Sequence, residues 1–252
     1  MLSPIPQVAF PTKLAFSVAG ALLLGKPRSF RQDAIQWVKS IKPPLDIRGA
    51  GNIPNSAPFL LTINHYSRPG FNAAWIAVAA SAAVPVEIHW LTTSAWTFPG
   101  RRLARPSRMI SERVFHRLSA VYGFTPMPPM PPNPDEVQAR ARAVRRALDY
   151  ARLTPNPIIG LAPEGRDAPG GALCPPPPGL GRFAARLLSH CQRVAPVGFY
   201  EEGGCLCLQF GEPYALELPC GLDREQLDRR ASQVIMAAIA HELPTQLRGE
   251  YG

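Results

Sequence analysis

An α/β domain with a mixed, largely parallel sheet flanked by helices is predicted from three features of the chain. Short apolar runs of strand length alternate with stretches of helical periodicity, the order that builds layered α/β folds. One of these runs, Leu60-Leu61-Thr62-Ile63, is apolar but for the β-branched Thr62, the character of a buried strand. Proline clusters, six of them between Pro126 and Pro134 and four from Pro175 to Pro178, mark extended loops between elements.

Taken in order, Leu14 to Gly25 is an apolar run of twelve residues. A transmembrane helix needs about 20, so the run does not span a bilayer, and Lys26-Pro27-Arg28 is unlike the small-residue site that ends a signal peptide. Two readings stay open: a helix lying in a membrane interface, or an ordinary core-packing helix. Pro43-Pro44 closes this region, which divides the chain into an amino-terminal helical segment, 1–44, and an α/β domain, 45–252. Strands are expected at 59–63, 86–91, 157–161, 194–199 and 205–210. Helices are expected at 72–83, 137–153, 182–191 and 224–243. The last is the best marked, with Asp223 as N-cap and Gln226 completing a capping box. In 137–153, Val137, Ala141, Val144 and Leu148 form an apolar stripe, and Arg142, Arg145, Arg146 and Arg152 lie off it.

The formal net charge is +9, and 23 of the 27 cationic side chains are arginines. Eleven of these stand against four carboxylates between residues 101 and 152, so most of the excess lies there. Arg101, Arg102, Arg105 and Arg108, interleaved with Phe98, Leu103, Met109 and Ile110, suit a segment resting on anionic head groups. Nucleic acid is not an expected partner, because no recognition-helix, RNA-binding or zinc-finger pattern is present. The five cysteines have no framework spacing, and reduced thiols are expected. His89, His116, His190 and His241 lack metal-ligand spacing, so no metal is expected. A P-loop-like spacing at 20–26 and a dinucleotide-like one at 179–184 are set aside: Pro27 replaces the required hydroxyl, and prolines rather than a strand precede Gly179.

The chemistry points to the end of the strand at 59–63. It runs into the polar turn Asn64-His65-Tyr66-Ser67-Arg68 and then into a helix. Side chains at strand ends line the crevice where open α/β sheets bind ligands, and an imidazole there is suited to take a proton from a hydroxyl.

The surrounding sequence carries a resemblance. Gly49-Ala50-Gly51-Asn52-Ile53-Pro54, a strand and then Asn64-His65 precede Pro163-Glu164-Gly165-Arg166 by about one hundred residues. Pro196-Val197 and Phe210-Gly211-Glu212-Pro213 follow. In order and spacing these blocks, over roughly residues 45–215, resemble the glycerophospholipid (1-acylglycerol-3-phosphate) acyltransferase family. The resemblance implies a fold like that of glycerol-phosphate acyltransferases and transfer of a fatty acyl group from acyl-CoA or acyl carrier protein, as co-substrate, to a hydroxyl of a lysophospholipid or other lipid acceptor. It places His65 as general base with Asn64 beside it, Glu164, Gly165, Arg166 and Arg68 around the acceptor, and implies no cofactor. The missing signal-peptide pattern, the apolar run at 14–25 and the arginine excess predict a peripheral position on the cytoplasmic face of the cell membrane.

Three positions depart from the family pattern. Gly70 stands where an aspartate five residues after the histidine would hold its ring. Arg166 and Asp167 replace the threonine and arginine that follow Glu-Gly, and the segment Tyr122 to Met127 lacks the family's phosphate-binding arginine. A relative that binds lipid without turnover is the alternative reading, and an acceptor larger or less charged than a phosphate monoester is expected.

Overall fold

The computed structural model of the protein describes residues 6–9, 11–56, 58–68, 71, 73–96, 104–167 and 169–252. In chain order its elements are β1 (Gln7–Val8), α1 (Thr12–Leu24), α2 (Phe30–Val38), β2 (Ile41–Lys42), β3 (Asp46–Arg48), β4 (Phe59–Ile63), α3 (Ala74–Ala83), β5 (His89–Thr93), α4 (Ala104–Tyr122), β6 (Thr125–Met127), α5 (Val137–Leu153), β7 (Ile158–Leu161), α6 (Leu180–Cys191), β8 (Val194–Glu202), β9 (Cys205–Phe210) and α7 (Arg224–His241). Apart from the β1/β2 pair, the strands form one sheet in the order β3-β9-β8-β4-β7-β5-β6. Strands β8, β4, β7, β5 and β6 are mutually parallel, whereas β9 runs antiparallel to β8 and carries β3 parallel to itself. The sheet is mixed and largely parallel, as the apolar runs predict.

Central β4 shows why its run is apolar without alternation. Successive side chains point to opposite faces, and both faces are covered. Phe59, Leu61 and Ile63 enter the core shared with α2 and α3, whereas Leu60 enters the core built by α6 and α7. Strand β7 adds Ile159 and Leu161 to the second core, with Gly160 beneath the Trp90 ring: a Cβ at Gly160 would lie 2.4 Å from that ring.

Helices α2 and α4 have no counterpart among the expected elements. Ser29 caps α2 by accepting the Gln32 N–H at 3.0 Å. Asp33, in its first turn, is buried between the Arg28 guanidinium and the Tyr122 hydroxyl. This network fastens the end of α4 to the amino-terminal region, and Phe30 and Ala34 belong to the main core. Helix α1 buries Leu14 and Ala21 against its neighbours and leaves Phe16, Leu23 and Leu24 exposed, so it packs by one face only. Helix α5 keeps its expected bounds but is rotated from its expected stripe. Ala143, Ala147 and Ala151 are its buried residues, Val144 and Leu148 flank them, and Val137 is exposed. Small side chains there let the helix lie close to its neighbours. Close approach also accounts for Gly181 in the segment with dinucleotide-like spacing: a Cβ there would lie 2.1 Å from the Asp228 carbonyl oxygen of α7. The capping box of Asp223 and Gln226 forms as expected.

His89, at the start of β5, is stacked on Tyr150 at 3.6 Å, with Nε2 2.9 Å from Thr125 Oγ1. Burial pushes its pKa down to about 4, so the unfolded chain takes up the proton first as pH falls. Stability from this residue is therefore complete above the ordinary histidine pKa near 6.5 and is lost as pH drops from there towards 4, by roughly 3 kcal/mol in all. Urea midpoints measured between about pH 8 and pH 4.5 should show this loss, and His89→Gln should flatten the histidine portion of the curve.

Candidate active site

The site begins where β4 leaves the sheet. Ile63 is the last β4 residue in register with β8, opposite Val197. Asn64 then replaces backbone pairing with its side chain. Its Nδ2 donates to the Phe199 carbonyl at 2.8 Å, and its Oδ1 accepts the Phe199 N–H at 2.7 Å. A carboxamide presents the same donor and acceptor as a peptide, so the sheet is continued while the main chain turns away. Asn64, expected beside the base, is 1% exposed and turned into the core. There it ties the start of the turn to β8.

His65 follows with its side chain 21% exposed. Its backbone N–H donates to Glu164 Oε1 at 2.6 Å, across the loop that leaves β7. The second carboxylate oxygen, Oε2, accepts the Cys174 N–H at 2.9 Å. Glu164 is 1% exposed; burial pushes its carboxyl above the usual range, while the two N–H donors pull it down. The carboxylate thus holds together two segments distant in sequence. Gly165 completes the turn by donating its N–H to the Ala162 carbonyl, at a φ of +62° that favours glycine.

The imidazole meets a carboxylate that the sequence reading assigned no such part. His65 Nδ1 is shielded from solvent and lies 3.0 Å from Asp167 Oδ1, off the line of an ideal N–H···O bond. The proximity to His65, aided by the Ser67 hydroxyl, holds the Asp167 carboxyl below its ordinary range against the opposing effect of burial. Gly70 lies outside the described residues. A carboxylate inside the second signature-like block was the available signal, but chain spacing alone gives no measure of its distance to His65.

Of the expected acceptor residues, Arg68 pairs with Glu201 at 2.5 Å and stacks over Phe71. Arg166 is exposed on the turn after Glu164, close enough to Cys174 to counter the upward effect of burial on that thiol. Tyr66 packs behind the site against Phe71 and Phe199, and a Cβ at Gly171 would lie 2.8 Å from its ring. Of the expected membrane-surface arginines, Arg101 and Arg102 lie outside the described residues, and only the backbone of Arg105 is described. Arg108 is engaged by Glu112 and Glu136, which neutralise it locally.

No family model matches the chain, and no curated protein matches it. Among solved structures it is similar to the 1-acyl-sn-glycerophosphate (LPA) acyltransferase PlsC from Thermotoga maritima, with 17% identity over 84% of this chain and 76% of that one and a TM-score of 0.48. At that level of likeness no residue role transfers from one protein to the other.

Proposed function

We propose that the protein is an O-acyltransferase that moves a fatty acyl group from acyl-CoA or acyl carrier protein to a hydroxyl of a lysophospholipid or other lipid acceptor, with His65 as general base. One observation carries this reading. The Glu164 carboxylate grips the His65 backbone, so two blocks 99 residues apart meet at one partly exposed imidazole at the carboxyl end of a parallel strand. With Nδ1 shielded, Nε2 is the nitrogen for the substrate. It takes the proton as the acceptor oxygen attacks the thioester carbon; the carbon–sulfur bond then breaks, and the proton passes to the departing sulfur. Positioning and proton transfer supply the rate.

The surroundings of the base favour an acceptor such as a lysophospholipid diester or a glycolipid. Asp167 repels a phosphate monoester, and Glu201 already takes up charge from Arg68. Helices α1 and α4, which pack together, expose Phe16, Leu23 and Leu24 on one and Met109, Ile110 and Val114 on the other. Lys13, Lys26, Arg113 and Arg117 are exposed on or beside the same helices. Among the described residues no helix is long and apolar enough to cross a membrane. A peripheral seat on the anionic cytoplasmic leaflet fits this combination.

The test is to incubate the protein with acyl-CoA or acyl carrier protein and a panel of lysolipids and glycolipids on anionic or neutral vesicles, reading products by mass spectrometry. Transfer to a diester or glycolipid, faster on anionic vesicles, is the expected result. Lipid binding without any product would instead identify a non-catalytic relative. Fastest transfer to lysophosphatidic acid would refute the acceptor assignment.

A further inference from the structure

We infer that Asp167 is the positioning residue for His65, supplied by the loop after β7 and not by the segment that follows the histidine. Its catalytic consequence depends on the acyl-transfer reading above; the pairing itself does not. Three features support it. Nδ1 is shielded from solvent and lies 3.0 Å from Asp167 Oδ1. Both loops are fixed by one buried group, because Glu164 binds the His65 N–H with one oxygen and the Cys174 N–H with the other, on either side of Asp167 in sequence. Of the two other carboxylates tied to this turn, Glu164 is taken up by those two backbone donors and Glu201 by Arg68.

A carboxylate against Nδ1 keeps the proton on that nitrogen and the lone pair on Nε2, and it stabilises the imidazolium formed when Nε2 takes the acceptor's proton. The off-line approach is common in enzymes without substrate, where such bonds tighten in the reacting complex. The Ser67 hydroxyl lies close enough to the same carboxylate to help hold it. Acting from another strand's loop, Asp167 does the work that an aspartate at position 70 would do.

Asp167→Asn is the test, since it keeps the shape and removes the charge. Its side chain is 67% exposed, so the melting temperature is expected to stay unchanged. With the fastest acceptor, kcat is expected to fall by about 10²–10⁴-fold, the upper figure being the cost of the same change in the serine-protease triad, with KM within about 3-fold of wild type. Asp167→Glu should recover part of kcat. In ¹⁵N-histidine spectra at alkaline pH, with His65 assigned through His65→Gln, the wild type should show the tautomer protonated at Nδ1, and the asparagine variant should move towards Nε2 protonation. An unchanged kcat, or a fall in kcat with the His65 ring signals unmoved, overturns the inference. A wild type that transfers no acyl group defeats the proposed reaction, while the ring signals still decide the pairing.

Discussion

His65→Ala is expected to lower kcat for acyl transfer by about 10²–10⁴-fold, the usual contribution of a general base, with little change in stability. The second half of that expectation follows from how the residue is held. Glu164 grips the histidine's backbone N–H and not its ring, so alanine keeps the bond that fixes the turn. The ring is partly exposed, and its removal leaves no orphaned core donor. The variant should melt near the wild-type temperature and bind lipid as before. Imidazole added to the buffer should restore part of the rate by entering the space left behind. A variant that turns over at the wild-type rate would exclude His65 as the base.

Glu164→Ala should act in the opposite way, through structure first. It leaves the His65 and Cys174 N–H groups without their acceptor, at about 1–3 kcal/mol each, partly offset by relief from burying a carboxylate. A net loss of roughly 2–4 kcal/mol corresponds to a melting temperature about 5–15 °C lower in a chain of this size. Turnover should fall with it, because the turn bearing the base is no longer tied to β7. Glu164→Gln should be intermediate: one oxygen still accepts, but its NH₂ group faces a backbone donor. Thermal melting alongside steady-state kinetics checks both points. A glutamine variant as stable as wild type would show that the two carboxylate oxygens are not both needed.

The strands at the centre of the sheet were legible because burial on both faces leaves an unmistakable run of apolar residues. Strands β4 and β9 occupy 59–63 and 205–210 as expected. Strand β5 starts three residues later than its apolar run, at His89. Helix α4 was hidden by Pro106 in its first turn and by arginines that read equally well as a surface loop. Helix α5 was misphased because its packing face is made of alanines, which hydrophobicity alone ranks below Val137. At the site, His65 drew attention by its place after a strand and Glu164 through the resemblance of its block, and the structure brings the two together. The pairing with Asp167 could not be found in this way, because it depends on β4 and β7 being neighbours in the sheet and on the path of two loops. The same blindness applied to Asn64, whose partner Phe199 is 135 residues away.

Asn64 also sets how freely the region around the base can vary. Its side chain imitates one peptide unit, so the position of the next residue is indexed to β8 to within a single step of the chain. One residue inserted between Ile63 and His65 would carry the imidazole out of its place. Beyond His65 the requirement relaxes: neither the Asn64 pair with Phe199 nor the His65 N–H bond to Glu164 involves residues 66–73. The positions between the packed Tyr66, Ser67 and Phe71 side chains can therefore change while the imidazole keeps its place, so the site's surroundings are freer to vary than its anchor.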